Sequence, residues 1–280
     1  MKKGINIWSF PGGTTIAEGI RLAKKAGFEG IELSLNEEGE LGLETTEKEI
    51  NQIRRHLEDE GLEICGLATG LYWSYSMTSE QESNRIKAVD ICKKQLEVAA
   101  ALGVDAILVI PGAVGVDFIP GSEVVAYDKV YDRAQEAIFR LSAEAEKLGV
   151  SIGIENVWNK FLLSPLEMRG FLDSINSSYV GSYLDIGNVL YAGYPEQWVR
   201  ILGSRIKKVH FKDYRREAGG LHGFVDLLAG NVNYPAVVAA LREVGYDNYV
   251  TAEMIPNYEH HAEQIIFNTS AAMDAILGRS

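Results

Sequence analysis

Val150-Ser-Ile-Gly-Ile-Glu155-Asn156 is an apolar run that ends abruptly in a carboxylate and an amide. Set off upstream by Lys147-Leu-Gly149, it reads as a buried strand whose first charge stands at its carboxyl end. A charge there wants a partner. Three later stretches repeat the design: Ser182-Tyr-Leu-Asp185, Ile206-Lys-Lys-Val-His210 and Tyr249-Val-Thr-Ala-Glu253 each close an apolar segment with a group able to ligate a metal. With the four strands side by side, Glu155, Asp185, His210 and Glu253 converge on one rim of a parallel sheet.

Outward from this stretch, apolar runs alternate with segments of helical period, and glycine recurs between helix and strand. The pattern predicts eight strands, near 4–8, 28–33, 62–67, 105–110, 150–155, 179–185, 206–211 and 249–252. Eight helices are predicted between and after them, among them Thr46 to Glu60, Ser79 to Leu102, Tyr127 to Leu148 and a short one opened by Pro165. Parallel strands with right-handed crossovers follow. A doubly wound open sheet shares the alternation, but its Gly-X-Gly-X-X-Gly turn after the first strand is absent. The expected fold is therefore a single-domain (β/α)8 TIM barrel over residues 1–280, close to the roughly 250 residues usual for that architecture.

Composition narrows the function classes. With 46% hydrophobic and 24% charged residues, and no apolar run near the roughly 20 needed to cross a bilayer, a membrane protein is not expected. The net charge of −12 and the lack of a Lys/Arg stripe argue against a nucleic-acid partner. Two cysteines, Cys65 and Cys92, fit reduced thiols, and the opening residues build no signal-peptide core, so a cytoplasmic location is expected.

Three carboxylates forced together repel, by about 4 kcal/mol per pair at about 4 Å and an effective dielectric of about 20. Such a set needs a cation. One His and three carboxylates suit Mn²⁺, Mg²⁺ or Co²⁺, with Zn²⁺ also admissible.

The segments Gly153-Ile-Glu155-Asn156, Leu184-Asp185-Ile-Gly-Asn188, Val209-His210-Phe-Lys212-Asp213 and Ala252-Glu253-Met resemble the signatures of the sugar isomerase/epimerase family with the xylose-isomerase-like barrel. Gly30-Ile-Glu32-Leu and Gly230-Asn-Val-Asn-Tyr-Pro235 add to the likeness. That family includes ketose and phosphoketose 3-epimerases, hydroxypyruvate isomerase, inosose dehydratase and endonuclease IV. The resemblance implies Glu155, Asp185, His210 and Glu253 as ligands of one divalent metal, Mn²⁺ first. It makes Glu155 and Glu253 the acid/base pair of a 3-epimerisation through a metal-stabilised enediolate. It also implies a small sugar or sugar-phosphate substrate and a homo-oligomer, dimer or tetramer.

Departures from the pattern carry information too. Free-ketose 3-epimerases have a Glu six residues after the first metal Glu and a His three after the metal Asp, where this chain has Phe161 and Asn188. Arg216 matches the Arg six after the metal His, and Asp-Ile-Gly-Asn resembles the phosphoketose branch. Leu228-Ala-Gly230 replaces a Gly-Glu-Gly turn.

Asn188, Arg216, Lys212, Trp8, Trp73 and His222 are the candidate substrate contacts. Arg216 offers a planar donor fork, and the tryptophans could wall a sugar pocket. A continued strand is expected to turn Lys212 away from His210, and an ion pair with Asp213 is its plain alternative. The glycines of Ile110-Pro-Gly-Ala-Val-Gly-Val-Asp117 could offer amides to a phosphate. Three other readings compete: an inosose-dehydratase-like lyase, an abasic-site nuclease like endonuclease IV, and a silent sugar-binding barrel. The nuclease needs further metal ligands and a basic groove, against which five histidines and the net charge count.

Overall fold

The computed structural model describes residues 1–279. Seven strands run in order as β1 (Lys2–Asn6), β2 (Gly30–Ser34), β3 (Glu63–Ala68), β4 (Ala106–Val109), β5 (Ser151–Glu155), β6 (Val180–Asp185) and β7 (Ile206–Phe211). A short ribbon, β8 (Asp213–Tyr214) with β9 (Phe224–Val225), precedes β10 (Tyr249–Ala252). Strands β1 to β7 and β10 pair in parallel and close on one another, giving the expected (β/α)8 barrel.

Helices α1 (Ile16–Lys25), α2 (Glu47–Glu60), α3 (Glu82–Leu102), α4 (Tyr127–Leu148) and α5 (Pro165–Ile175) ring the first half. The short α6 (Ile186–Leu190) and then α7 (Pro195–Leu202), α8 (Tyr234–Glu243) and α9 (Gln264–Leu277) follow. Local chemistry sets the ends. Thr15 with Glu18 and Thr46 with Glu49 form capping boxes, each satisfying two otherwise unpaired amides. Gly61, Gly103 and Gly149 end α2, α3 and α4 in the left-handed conformation, turning the chain into the next strand at the floor of the barrel.

The first strand stops two residues early. The Asn6 side chain accepts the Trp8 N–H at 2.7 Å and winds Ile7–Ser9 into a 3-10 turn, so Trp8 lies beyond the strand. A ninth helix, α6, was not expected. It begins at once because the Asp185 carboxylate that ends β6 also accepts the Asn188 N–H and caps it.

Two glycines shape the interior beneath the mouth. A Cβ on Gly153 would lie 2.7 Å from the Tyr183 ring, and one on Gly66 would collide with Glu32 and the Tyr183 hydroxyl. Their bare backbones let Tyr183, fully buried, reach across the barrel to Glu32.

Candidate metal centre and active site

Pairing brings the four strand ends together. Asp185 lies opposite His210 across β6 and β7, and His210 opposite Thr251 on β10, two residues before Glu253. One potential ligand atom each from Glu155, Asp185, His210 and Glu253 falls within 4.8 Å of all the others, and every one of these residues is buried. His210 Nδ1 is 3.0 Å from Glu253 Oε2 and 4.0 Å from Glu155 Oε1. These approaches lack hydrogen-bond alignment. Asp185 Oδ2, His210 Nδ1 and Glu253 Oε2 are all buried without a hydrogen-bond partner. Buried polar atoms are rarely left so, and three aimed at one point fit a divalent cation held by one nitrogen and three carboxylates.

The residues around the cluster fix its orientation. His210 Nε2 is 2.8 Å from Glu32 Oε1, and Glu32, fully buried, also accepts from Asn6 Nδ2 and the Tyr183 hydroxyl. With Nε2 engaged, Nδ1 is the nitrogen turned toward the carboxylates. Asn156 accepts the Asp185 N–H at 2.8 Å and donates Nδ2 to the Asp185 carbonyl at 2.9 Å, locking the end of β6 to the end of β5. Asn188 gives its backbone N–H to Asp185 Oδ1 at 2.7 Å and its side-chain amide to the Asn156 carbonyl at 3.1 Å.

Lys212 overturns two expectations. Side chains alternate with a period of two, so Lys212 falls on the same side as His210 rather than turning away. Its Nζ lies 3.1 Å from Glu253 Oε2 and 3.3 Å from Asp185 Oδ2, and no ion pair joins it to Asp213. Asp213 instead accepts the backbone N–H groups of Tyr214, Leu228, Gly230 and Val232, tying down the loop that follows β7.

These neighbours split the two glutamates. Burial, then the charges of Glu253 and Asp185, pushes the Glu155 carboxyl well above the ordinary range. Burial pushes Glu253 the same way, but the Lys212 ammonium and His210 outweigh it and hold its pKa at about 2. His210 is raised although burial opposes it, because Glu32 and Glu253 favour the imidazolium. Without a cation, therefore, a proton is favoured on Glu155 over Glu253.

Beside the cluster opens a cavity of about 510 Å³, bordered by Asn156 and Asn188 and walled by Phe118, Trp158, Phe161 and Tyr191. Asn188 is thus the one substrate candidate on that wall. Trp73 reaches it only indirectly, packing edge-on against Phe118 at 5.2 Å, and Trp8 is half-buried against the core. Arg216 donates Nε to the Leu190 carbonyl at 3.3 Å and lies over the Tyr194 ring at 5.1 Å. His222 is exposed on a 3-10 turn, Leu221–Gly223, of which Leu221 borders the cavity.

The glycine loop after β4 keeps its amides. Ala113 N–H goes to Thr78 Oγ1, those of Val114 and Gly115 to the Asn159 carbonyl, and that of Val116 to Ser122 Oγ. Trp158, not among the residues expected from sequence, donates Nε1 to the Asn188 carbonyl at 3.1 Å and stacks on Phe224 at 5.0 Å. Its place two residues after Asn156 was the available signal.

Comparison with known proteins agrees with this architecture. The profile of the xylose isomerase-like TIM barrel family matches residues 20–272. The L-ribulose-5-phosphate 3-epimerase UlaE of Salmonella paratyphi C is 22% identical over 287 residues, covering 99% of this chain and 94% of the relative. MJ1311 of Methanocaldococcus jannaschii, an uncharacterized protein, is 27% identical over 181 residues, covering 62% of this chain, which spans 59% of that relative's length. Among solved structures, D-psicose 3-epimerase in the presence of D-fructose superimposes with a TM-score of 0.82 at 19% identity, covering 99% of this chain and 100% of the other. At that identity the likeness shows the fold.

Proposed function

The chain belongs to the xylose isomerase-like TIM barrel family, and on that premise we propose that it is a metal-dependent epimerase of a ketose, acting by proton transfer beside the carbonyl. The observation that carries this reading is the buried set Glu155, Asp185, His210 and Glu253, with three orphaned atoms facing one another. These four residues would hold one divalent ion, Mn²⁺ in our proposal. Such an ion supplies Lewis-acid stabilisation of the negative charge that develops when a proton leaves the carbon next to a carbonyl.

The protein's own groups do the rest. Glu253, kept ionised by Lys212 and His210, is suited to take a proton, and Glu155, ionised when it holds the metal, is suited to take one from solvent and return it to the opposite face. They stand on β10 and β5 with β6 and β7 between them, so the two carboxyl groups address a bound sugar from different sides. Removal on one side and return on the other inverts the carbon. The Lys212 ammonium is placed to donate to a substrate oxygen, and Asn188 to border the sugar. Trp8 and Trp73, after β1 and β3, and Arg216 and His222, between β8 and β9, complete the proposed set of contacts. The same proposal places the chain in the cytoplasm, supported by two buried free thiols, as a twofold or fourfold homo-oligomer.

The test is to incubate Mn²⁺-loaded protein in D2O with a panel of ketoses and ketose phosphates and to locate deuterium by NMR. Uptake at the carbon beside the carbonyl, with appearance of the epimer and its loss in Glu155→Gln, is expected. A panel that stays free of deuterium would end the epimerase reading, and loss of water in place of an epimer would assign the site to a dehydratase.

A further inference from the structure

The cavity beside the cluster is larger and less polar than four metal ligands explain. We propose that the substrate is an uncharged keto-sugar bearing a ring, aryl or glycosyl, at the end remote from its carbonyl, and that this cavity holds the ring. The proposal rests on the epimerase reading above and names its substrate class.

Three observations carry it. The cavity adjoins the site, since Asn156 and Asn188 border it and both also bond to Asp185. Its volume of about 510 Å³ falls among pockets for drug-sized ligands, roughly 300 to 1,000 Å³, which is more than one small sugar fills. The lining includes the aromatic residues Phe118, Trp158, Phe161 and Tyr191, and aromatic side chains favour packing against another ring.

Charge counts against a phosphate in this cavity. Lys160 is the sole cation among the described lining residues, and its Nζ sits 2.5 Å from Asp117, which lines the same cavity. The amides of Ala113 to Val116 are already bonded within the protein. Arg215 and Arg216 donate Nε to the Ala229 and Leu190 carbonyls and do not line the cavity. A dianion placed here would lose its water and gain no free positive partner.

Three probes that differ only at one end test this: D-fructose, D-fructose 6-phosphate and 6-O-benzyl-D-fructose, each titrated calorimetrically into Mn²⁺-loaded protein. The benzyl ether is expected to bind about tenfold or more tighter than D-fructose, and the phosphate no tighter than D-fructose. Tyr191→Ala, which removes an exposed side chain, should erase most of the benzyl advantage. Equal binding by all three, tightest binding by the phosphate, no binding by any, or a benzyl advantage untouched in Tyr191→Ala would overturn the assignment. Deuterium uptake is scored separately. Benzyl preference without uptake counts against the epimerase reading and leaves the cavity assignment standing, whereas uptake with phosphate preferred does the reverse.

Discussion

On strand β7, Lys208 and His210 stand two residues apart and both are buried, yet they live in opposite settings. Lys208, toward the floor of the barrel, has its ammonium 2.6 Å from Asp105, an ordinary ion pair with one partner in solvent. His210, at the mouth, turns an Nδ1 without a hydrogen bond toward carboxylates whose facing oxygens have only the Lys212 ammonium nearby. The backbone divides in the same way. Floor turns mostly place glycine where φ is positive, as at Gly27, Gly61, Gly103, Gly149 and Gly245, with Asn176 the exception, whereas the mouth loops use glycines there and also Lys160, Leu162, Leu228 and His261. Most unsatisfied groups and left-handed non-glycine residues lie toward the mouth, the end where barrels of this kind build their sites, while the floor turns serve stability.

The largest expected effect strikes the mouth. Glu155→Gln should lower deuterium exchange by about 10²- to 10⁴-fold, the usual worth of a positioned acid or base. It should not lower the stability of the metal-free protein, because it removes one of three crowded carboxyl groups. A marked fall in Tm without metal would mean that the cluster is an ordinary stabilising network, and the contrast between the two ends would disappear.

Next in size is the cation itself. Metal at about a hundred times its Kd should stabilise the fold by about 2.7 kcal/mol. The gain should grow as pH rises. In the metal-free protein Glu155 and His210 have raised pKa values and hold protons that the unfolded chain releases earlier. Those protons stabilise the metal-free fold at low pH, and that support is lost as pH climbs through the raised values, while metal binding expels them. Thermal melts with and without Mn²⁺ from pH 5 to 8 should therefore diverge upward. Curves that converge would contradict the orientation of the orphaned atoms.

Glu32→Gln probes the link between the two settings. Its carboxylate receives the His210 Nε2 proton from inside the barrel, and partners of this kind are typically worth 10- to 100-fold in metal affinity. Isothermal titration with Mn²⁺ should show that loss. Unchanged affinity would mean that packing alone orients the imidazole.

Glu32 also marks the limit of what the sequence disclosed. The four ligands were legible because each ends an apolar run, and the barrel was legible because helix, glycine and strand recur. Glu32 stands inside β2 with residues buried on both sides, so nothing local separates a partner of His210 from a loop-orienting carboxylate. Lys212 was open to reading by the period of two alone. The walls of the cavity were not, because Phe118 and Trp158 lie in irregular loops after β4 and β5 and Tyr191 caps the five-residue α6, too short for periodicity to report direction. Trp8 and Trp73, the aromatics that stand close behind predicted strands, follow β1 and β3 instead.

The smallest effect is the most direct test of the backbone contrast. Leu228 holds φ at 74° where the resembling family places glycine, its side chain is exposed, and its N–H is fixed on Asp213 Oδ2 at 3.0 Å. A left-handed L-residue costs about 1 to 2 kcal/mol, and glycine's extra freedom in the unfolded chain takes back about 0.5 to 1. Leu228→Gly should thus stabilise the protein by about 0.5 to 1 kcal/mol. At the floor, Gly149 has φ of 68° and open space around the position of a Cβ, so Gly149→Ala meets no clash and should lose a similar amount for the same conformational reason. Denaturant midpoints that move in opposite directions would show that the strain at the mouth is a removable cost held in place by Asp213. A Leu228→Gly protein that is less stable than the parent would show instead that the leucine contributes more by packing than its backbone loses.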